Sequence, residues 1–289
     1  MPPSALAQAT DHTGAHPRLV FDSLAAMVAW TRATPATWQR QSSISTDPSR
    51  VSWCQSASYD AAAALLSHGW PEGRDKIADA LTTAHRLQAP EPALAPGYDV
   101  GGAYPCVPMA VAGEPACMVS PTASIVEQRP VVEIWSDLSM SAATGGAAIL
   151  HRGAAILAWI DALETSGYRV SLTFVDYSTK RGGASTYSLR VQAKRPDQPM
   201  ELDRLAFVLM HPSMLRRLQF ATMERCPGIE SAMGEGSYGS VTDWPSADVP
   251  PGVIYLPPIA HDNRHSYATQ EGANARVRAA LVAAGVLAE

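Results

Sequence analysis

Residues 131 to 177 contain the pattern that most limits how the chain can fold. An apolar run, Val131 to Trp135, is followed by a stretch with apolar residues at Ile149, Ile156, Leu157, Ile160 and Leu163, and then by an alternating stretch from Tyr168 to Val175. The middle segment keeps a helical period, with Asp161 and Glu164 on other faces and Gly167 as its stop. Strand, helix, strand in that order is the signature of an α/β layer fold, with the helix lying against the sheet. A hairpin is expected next, Thr173 to Tyr177 and Thr186 to Ala193 around Lys180-Arg181-Gly182-Gly183, adding an antiparallel edge strand. Met200 to Met210 and Met214 to Met223 read as helices broken at Pro212, Val253 to Leu256 as a buried strand stopped by Pro257-Pro258, and Gln270 to Leu287 as a closing helix.

The rest of the chain differs in character. Residues 1–18 lack periodicity and read as a disordered arm. Residues 19–96 read as a small helical N-terminal region, with stripes at Phe21 to Arg32, Tyr59 to His68 and Lys76 to Leu87, ending in the Pro-dense connector Ala89 to Pro96. Residues 97–129 read as a β-hairpin insertion, strands Val107 to Val111 and Ala116 to Val119 about the turn Gly113-Glu114-Pro115. Residues 130–289 form the α/β domain.

Composition narrows the function classes. Hydrophobic residues make up 46% of the chain and charged ones 17%, which excludes wholesale disorder. A net charge of −5 excludes a global attraction to nucleic acid or anionic membrane. No apolar run approaches the ~20 residues of a bilayer span, and Met1 to Leu19 lacks the form of an export signal. Cys54, Cys106, Cys117 and Cys226 form no CxxC pair and read as buried thiols. An intracellular product is expected.

One motif carries chemistry. The strand Val131 to Trp135 runs into Asp137-x-Ser139-x-Ser141 at its C-terminal end, where loops of an α/β sheet project into the crevice that binds ligands. A carboxylate and two hydroxyls are hard oxygen donors of the kind Mg²⁺ or Mn²⁺ takes. The same residue types also cap helices, so Asp137 and Ser141 have a purely structural reading as well. Elsewhere, His261 and His265 are spaced i, i+4 but fall in a loop. Glu235 stands where a G-x-S-x-G elbow needs glycine, and neither a P-loop nor a G-x-G-x-x-G occurs. No catalytic residue is assigned.

Asp137-x-Ser139-x-Ser141, the helix end Ala162-Leu163-Glu164-x-x-Gly167-Tyr168 and the strand Arg169 to Val175 together resemble the first β-α-β unit of a von Willebrand factor A domain. The nearest form is the cobalt-chelatase type. Around Gly101, Arg152-Gly153 and Leu215-Arg216-Arg217 the chain is also similar to a group of tailed-phage proteins. The first resemblance implies a Rossmann-like sheet and a non-enzymatic interaction or assembly module. Its metal-ion-dependent adhesion site would hold Mg²⁺ or Mn²⁺ on Asp137, Ser139, Ser141 and Asp262, accept a partner's carboxylate, and have an AAA+ ATPase as one candidate partner. Thr242 and Asp243 are weaker candidates for the remaining ligands, and the Thr that such a site takes from a loop after the third strand has no counterpart after Ala193. The second resemblance places the protein in a bacterial cytoplasm or a virion.

Two alternatives stand beside this reading. Lys180 to Arg225 holds 9 basic residues against 4 acidic, and a nucleic-acid-binding replication or packaging accessory would use Lys180, Arg181, Lys194, Arg195, Arg216 and Arg217. A virion structural component with a vestigial metal loop is the other.

Overall fold

The computed structural model describes residues 16–39, 41–78, 80–82, 97–120, 130–234 and 237–287. Most of the expected arm, 1–15, and the connector 89–96 lie outside the described residues.

The chain is mixed α/β, with a largely parallel sheet against which helices pack. Its strands are β1 (Arg18–Phe21), β5 (Val131–Asp137), β6 (Arg169–Thr179), β7 (Thr186–Lys194) and β9 (Val253–Leu256), in the order β1-β7-β6-β5-β9, with the short β8 (Ser240–Val241) pairing β6. β5 is parallel to both β6 and β9, and β6 and β7 form the expected antiparallel hairpin. β7 is not an edge strand. β1 pairs with it in parallel, Leu19 opposite Leu189, because alternating Leu19 and Phe21 give the segment before the first helix a buried face of its own.

Helices in chain order are α1 (Leu24–Ala33), α2 (Pro48–Cys54), α3 (Tyr59–His68), α4 (Pro71–Asp75), α5 (Val107–Val111), α6 (Gly146–Thr165), α7 (Leu202–Met210), α8 (Phe220–Met223), α9 (Ile229–Met233) and α10 (Gln270–Ala283). Ser23, Asp47, Ser58 and Thr269 cap α1, α2, α3 and α10 by accepting from first-turn amides. Buried apolar residues of α1, α3, α6, α7, α9 and α10 join Val132, Ile134, Leu172, Phe174, Leu189 and Ile254 in one core on one face of the sheet. On the other face a smaller cluster gathers around Trp135, Val175 and Trp244, with the two indole centroids 5.5 Å apart.

α6 is the central helix. Gly153 lets α7 approach it closely, since a Cβ there would lie 2.3 Å from the Leu209 carbonyl oxygen. By length and composition α6 is the one helix among the described residues apolar enough to cross a membrane, although His151-Arg152 and Asp161 interrupt its apolar run. In the fold 67% of its most apolar stretch is buried against protein.

The segment 97–120 departs from the expected hairpin. β2 (Gly97–Asp99) and β3 (Tyr104–Pro105) both pair with β4 (Met118–Ser120), while Val107 to Val111, read as a strand, is the helix α5. Pro108 in its first turn explains the difference: it donates no amide and its fixed φ suits a helix start.

Candidate cleft at the carboxyl end of the sheet

β5 carries Asp137 to the carboxyl edge of the sheet, between the parallel neighbours β6 and β9. Crevices in open α/β sheets form there. The loops after β5 and β9 are joined by a parallel bridge between Met140 and Ile259: the Ile259 amide donates to the Ser139 carbonyl (3.2 Å) and the Ser141 amide to the Ile259 carbonyl (3.1 Å). Such a bridge holds residues 139 to 141 extended, so Ser139 and Ser141 point to the same side. Both line a cleft of about 830 Å³.

Asp137 lies behind the two serines, fully buried. Its Oδ1 accepts from the Ser139 amide (2.9 Å) and hydroxyl (2.6 Å), and its Oδ2 from the Tyr255 hydroxyl (3.0 Å), which in turn accepts from the Trp244 amide (2.8 Å). Burial first, and then the charge of Asp176, push the Asp137 carboxyl up to about 8 against these hydrogen bonds. Asp176, on β6, is also buried, lines the cleft, and accepts from the Ser178 hydroxyl (3.2 Å). Burial raises it to about 6. The floor thus carries the buried Asp176 carboxylate among hydroxyls, with the Asp137 carboxylate behind the lining.

The opposite wall is cationic and aromatic. A π-helical turn, Met214–Gln219, leads into α8 and carries Arg216; such turns recur at functional sites. The Arg216 guanidinium sits 4.3 Å from the Trp53 ring centroid, and Arg50 approaches the same ring at 5.5 Å. Arg216 donates to the carbonyls of Trp53 (2.6 Å) and Thr144 (3.0 Å), tying α2 to the loop that follows Ser141. Burial lowers its pKa to about 10. Phe220, stacked on Tyr238 at 3.9 Å, completes the wall, and Ser237, Gly239 and His261 reach the rim.

Of the sequence-derived metal residues, Asp137, Ser139 and Ser141 come together. Asp262 does not join them: it is exposed in the turn after β9, and its neighbour His261 lines the cleft instead. Thr242 and Asp243 are likewise absent from the lining, which contains no threonine. His261 and His265 are both exposed. Among the described residues no three His, Cys, Asp and Glu side chains gather as a metal cluster, so a cation here would depend on hydroxyls as much as on carboxylates.

Three of the six named basic residues are buried. Arg217 is fully buried and donates to the carbonyls of Ser43 (2.8 Å), Ser45 (2.7 Å) and Ser56 (3.0 Å). Lys194 is buried and paired with Glu164 at 2.5 Å. With Arg216 also buried, Arg181 and Arg195 are exposed and Lys180 half-buried. The strand and the π-turn direct Lys194, Arg216 and Arg217 inward.

Sequence reasoning missed Asp176, Ser178, Arg50, Trp53, Tyr238 and Tyr255. Asp176 alone left a signal, a carboxylate directly after the apolar strand Tyr168 to Val175.

No curated protein and no solved structure matches the chain. The model of a family described as Domain of unknown function (DUF7192) matches residues 9–287, almost the whole length, and the chain belongs to that family.

Proposed function

We propose that the chain is a non-enzymatic interaction module of von Willebrand A-like type, in which the cleft takes a divalent cation, Mg²⁺ or Mn²⁺, and through it a carboxylate of a protein partner. The observation that carries this reading is the Met140–Ile259 bridge, which sets Ser139 and Ser141 into the lining of the same cleft as Asp176, with the Ser139 hydroxyl donating to Asp137 behind it. The sheet order is compatible with it: β7-β6-β5-β9 follows a 3-2-1-4 order with the acidic loop on strand 1, and β1 is added beyond β7.

The donor set suits the ion. Two buried carboxylates, of which Asp176 raises the pKa of Asp137, are costly to ionise until a cation neutralises them. Ser139, Ser141 and Asp176 would hold the ion, with Asp137 orienting Ser139, and Ser178 offers a hydroxyl where the resemblance calls for a threonine. A partner's carboxylate entering the cleft would meet the cation on one side and the guanidinium groups of Arg50 and Arg216 on the other, two directional anchors for one anion.

Calorimetric titration with Mg²⁺ or Mn²⁺ tests the reading. Wild-type chain should bind one ion, and Asp137→Ala should weaken binding by at least roughly tenfold, about 1.4 kcal/mol, while circular dichroism shows an intact fold. An identical isotherm for the folded variant would refute the proposal.

A further inference from the structure

We infer that Cys106 and Cys117 form a reversible disulfide that closes the loop bearing α5. β3 and β4 run antiparallel, with Tyr104 opposite Val119 and Pro105 opposite Met118. The next rung sets Cys106 opposite Cys117, and it is held by a 2.7 Å hydrogen bond from the Cys106 amide to the Cys117 carbonyl. A hydrogen-bonded antiparallel pair keeps its Cα atoms about 5.5 Å apart, inside the ~4.4–6.8 Å a disulfide spans. Side chains of opposed residues share a face, with Cβ atoms ~4.5–5.5 Å apart, so the bond needs roughly an ångström of approach.

Both thiols are free and half-buried, whereas Cys54 and Cys226 are enclosed in the body of the protein. Segment 97–120 also has the most to gain from a covalent tie. Among its described side chains Val119 alone is buried, while Tyr98, Val100, Tyr104, Val107 and Val111 are exposed. A sheet of this size with so little core is marginal by itself.

The chemistry is thiol–disulfide exchange with a low-molecular-weight disulfide such as oxidised glutathione. One cysteine thiolate attacks it, forming a mixed disulfide and expelling one glutathione thiolate. The second cysteine thiolate then attacks the protein sulfur of that mixed disulfide and expels the other. Two protein thiols lose two protons and two electrons, and the oxidised glutathione leaves as two thiols.

The test is to expose the full-length chain to excess oxidised glutathione, block the remaining thiols, cleave after Met109 with cyanogen bromide to separate the two cysteines, and identify the products by mass spectrometry. The expected product is an intact chain lighter by two hydrogens, with Cys106 and Cys117 linked and the link reversed by reductant. Cys117→Ser should instead stop as a single glutathione adduct at Cys106. The inference is overturned if wild-type chain carries separate adducts on both cysteines, if both remain unmodified, or if either is linked to Cys54 or Cys226.

Discussion

Asp137 is held under two opposed demands. Its site is dry and shared with Asp176, which favours the protonated acid, yet the cleft would use it as a carboxylate. The sign of the resulting pH dependence follows. Asp137 and Asp176 are raised to about 8 and about 6 from an ordinary 3.8, so the folded chain binds protons that the unfolded chain releases. Their contribution to stability is full below about pH 4 and is lost as pH rises through 6 and then 8. Thermal unfolding without added cation should therefore show stability falling over that range. Asp137→Asn, which keeps the acceptor for Ser139 without the charge, should flatten the fall and stabilise the chain at pH 8 by on the order of 1–3 kcal/mol. A variant as pH-sensitive as the wild type would contradict this account of the pair.

Arg217 makes a similar point with the opposite charge. Its backbone acceptors, Ser43, Ser45, Ser56 and Ala57, come from segments that no pattern in the sequence connects to it. Arg217→Met should cost roughly 2–4 kcal/mol in a urea titration, because buried carbonyls lose their donor; an unchanged midpoint would show that the guanidinium does not hold these segments.

At the scale of elements, the Gly153 contact is the most sensitive joint. Adding a single methyl in Gly153→Ala would force α6 and α7 apart, and we expect roughly 1–3 kcal/mol of destabilisation by denaturant titration. A neutral effect would mean the two helices can separate without loss. The elements that were legible in the sequence, β5, α6, β6, the hairpin and β9, have long or clean periodicity because the core that reads them is continuous. Those that were not are governed by something other than period. β1 spans four residues, too few for alternation to separate it from the helix that follows. α5 was misread because its valines favour a strand while Pro108 at the first turn decides for a helix. The π-turn at Met214–Gln219 falls inside a run that looks like ordinary helix.

For the whole molecule, the cleft is a tertiary product. Its walls come from residues 49–53, 139–142, 176–178, 215–223, 237–241 and 260–261, and only the second of these segments announces itself by a motif. The two serines could be read from the sequence because they share a loop; the carboxylate and guanidinium groups across from them could not, because their meeting depends on how α2 and the π-turn pack over the sheet.

The same packing removes Lys194, Arg216 and Arg217 from the surface of a chain of net charge −5, leaving Arg181 and Arg195 exposed. We therefore expect no salt-sensitive shift of DNA in a low-salt gel assay. A strong shift abolished by replacing Arg181 and Arg195 would revive the nucleic-acid reading.

Crystals soaked in Mn²⁺ and measured at the manganese absorption edge address the central claim most directly. The account predicts an anomalous peak within bonding distance of Ser139, Ser141 and Asp176, with Asp137 hydrogen-bonded behind it. A cleft without such a peak at saturating Mn²⁺, or a peak only at other residues, would contradict it.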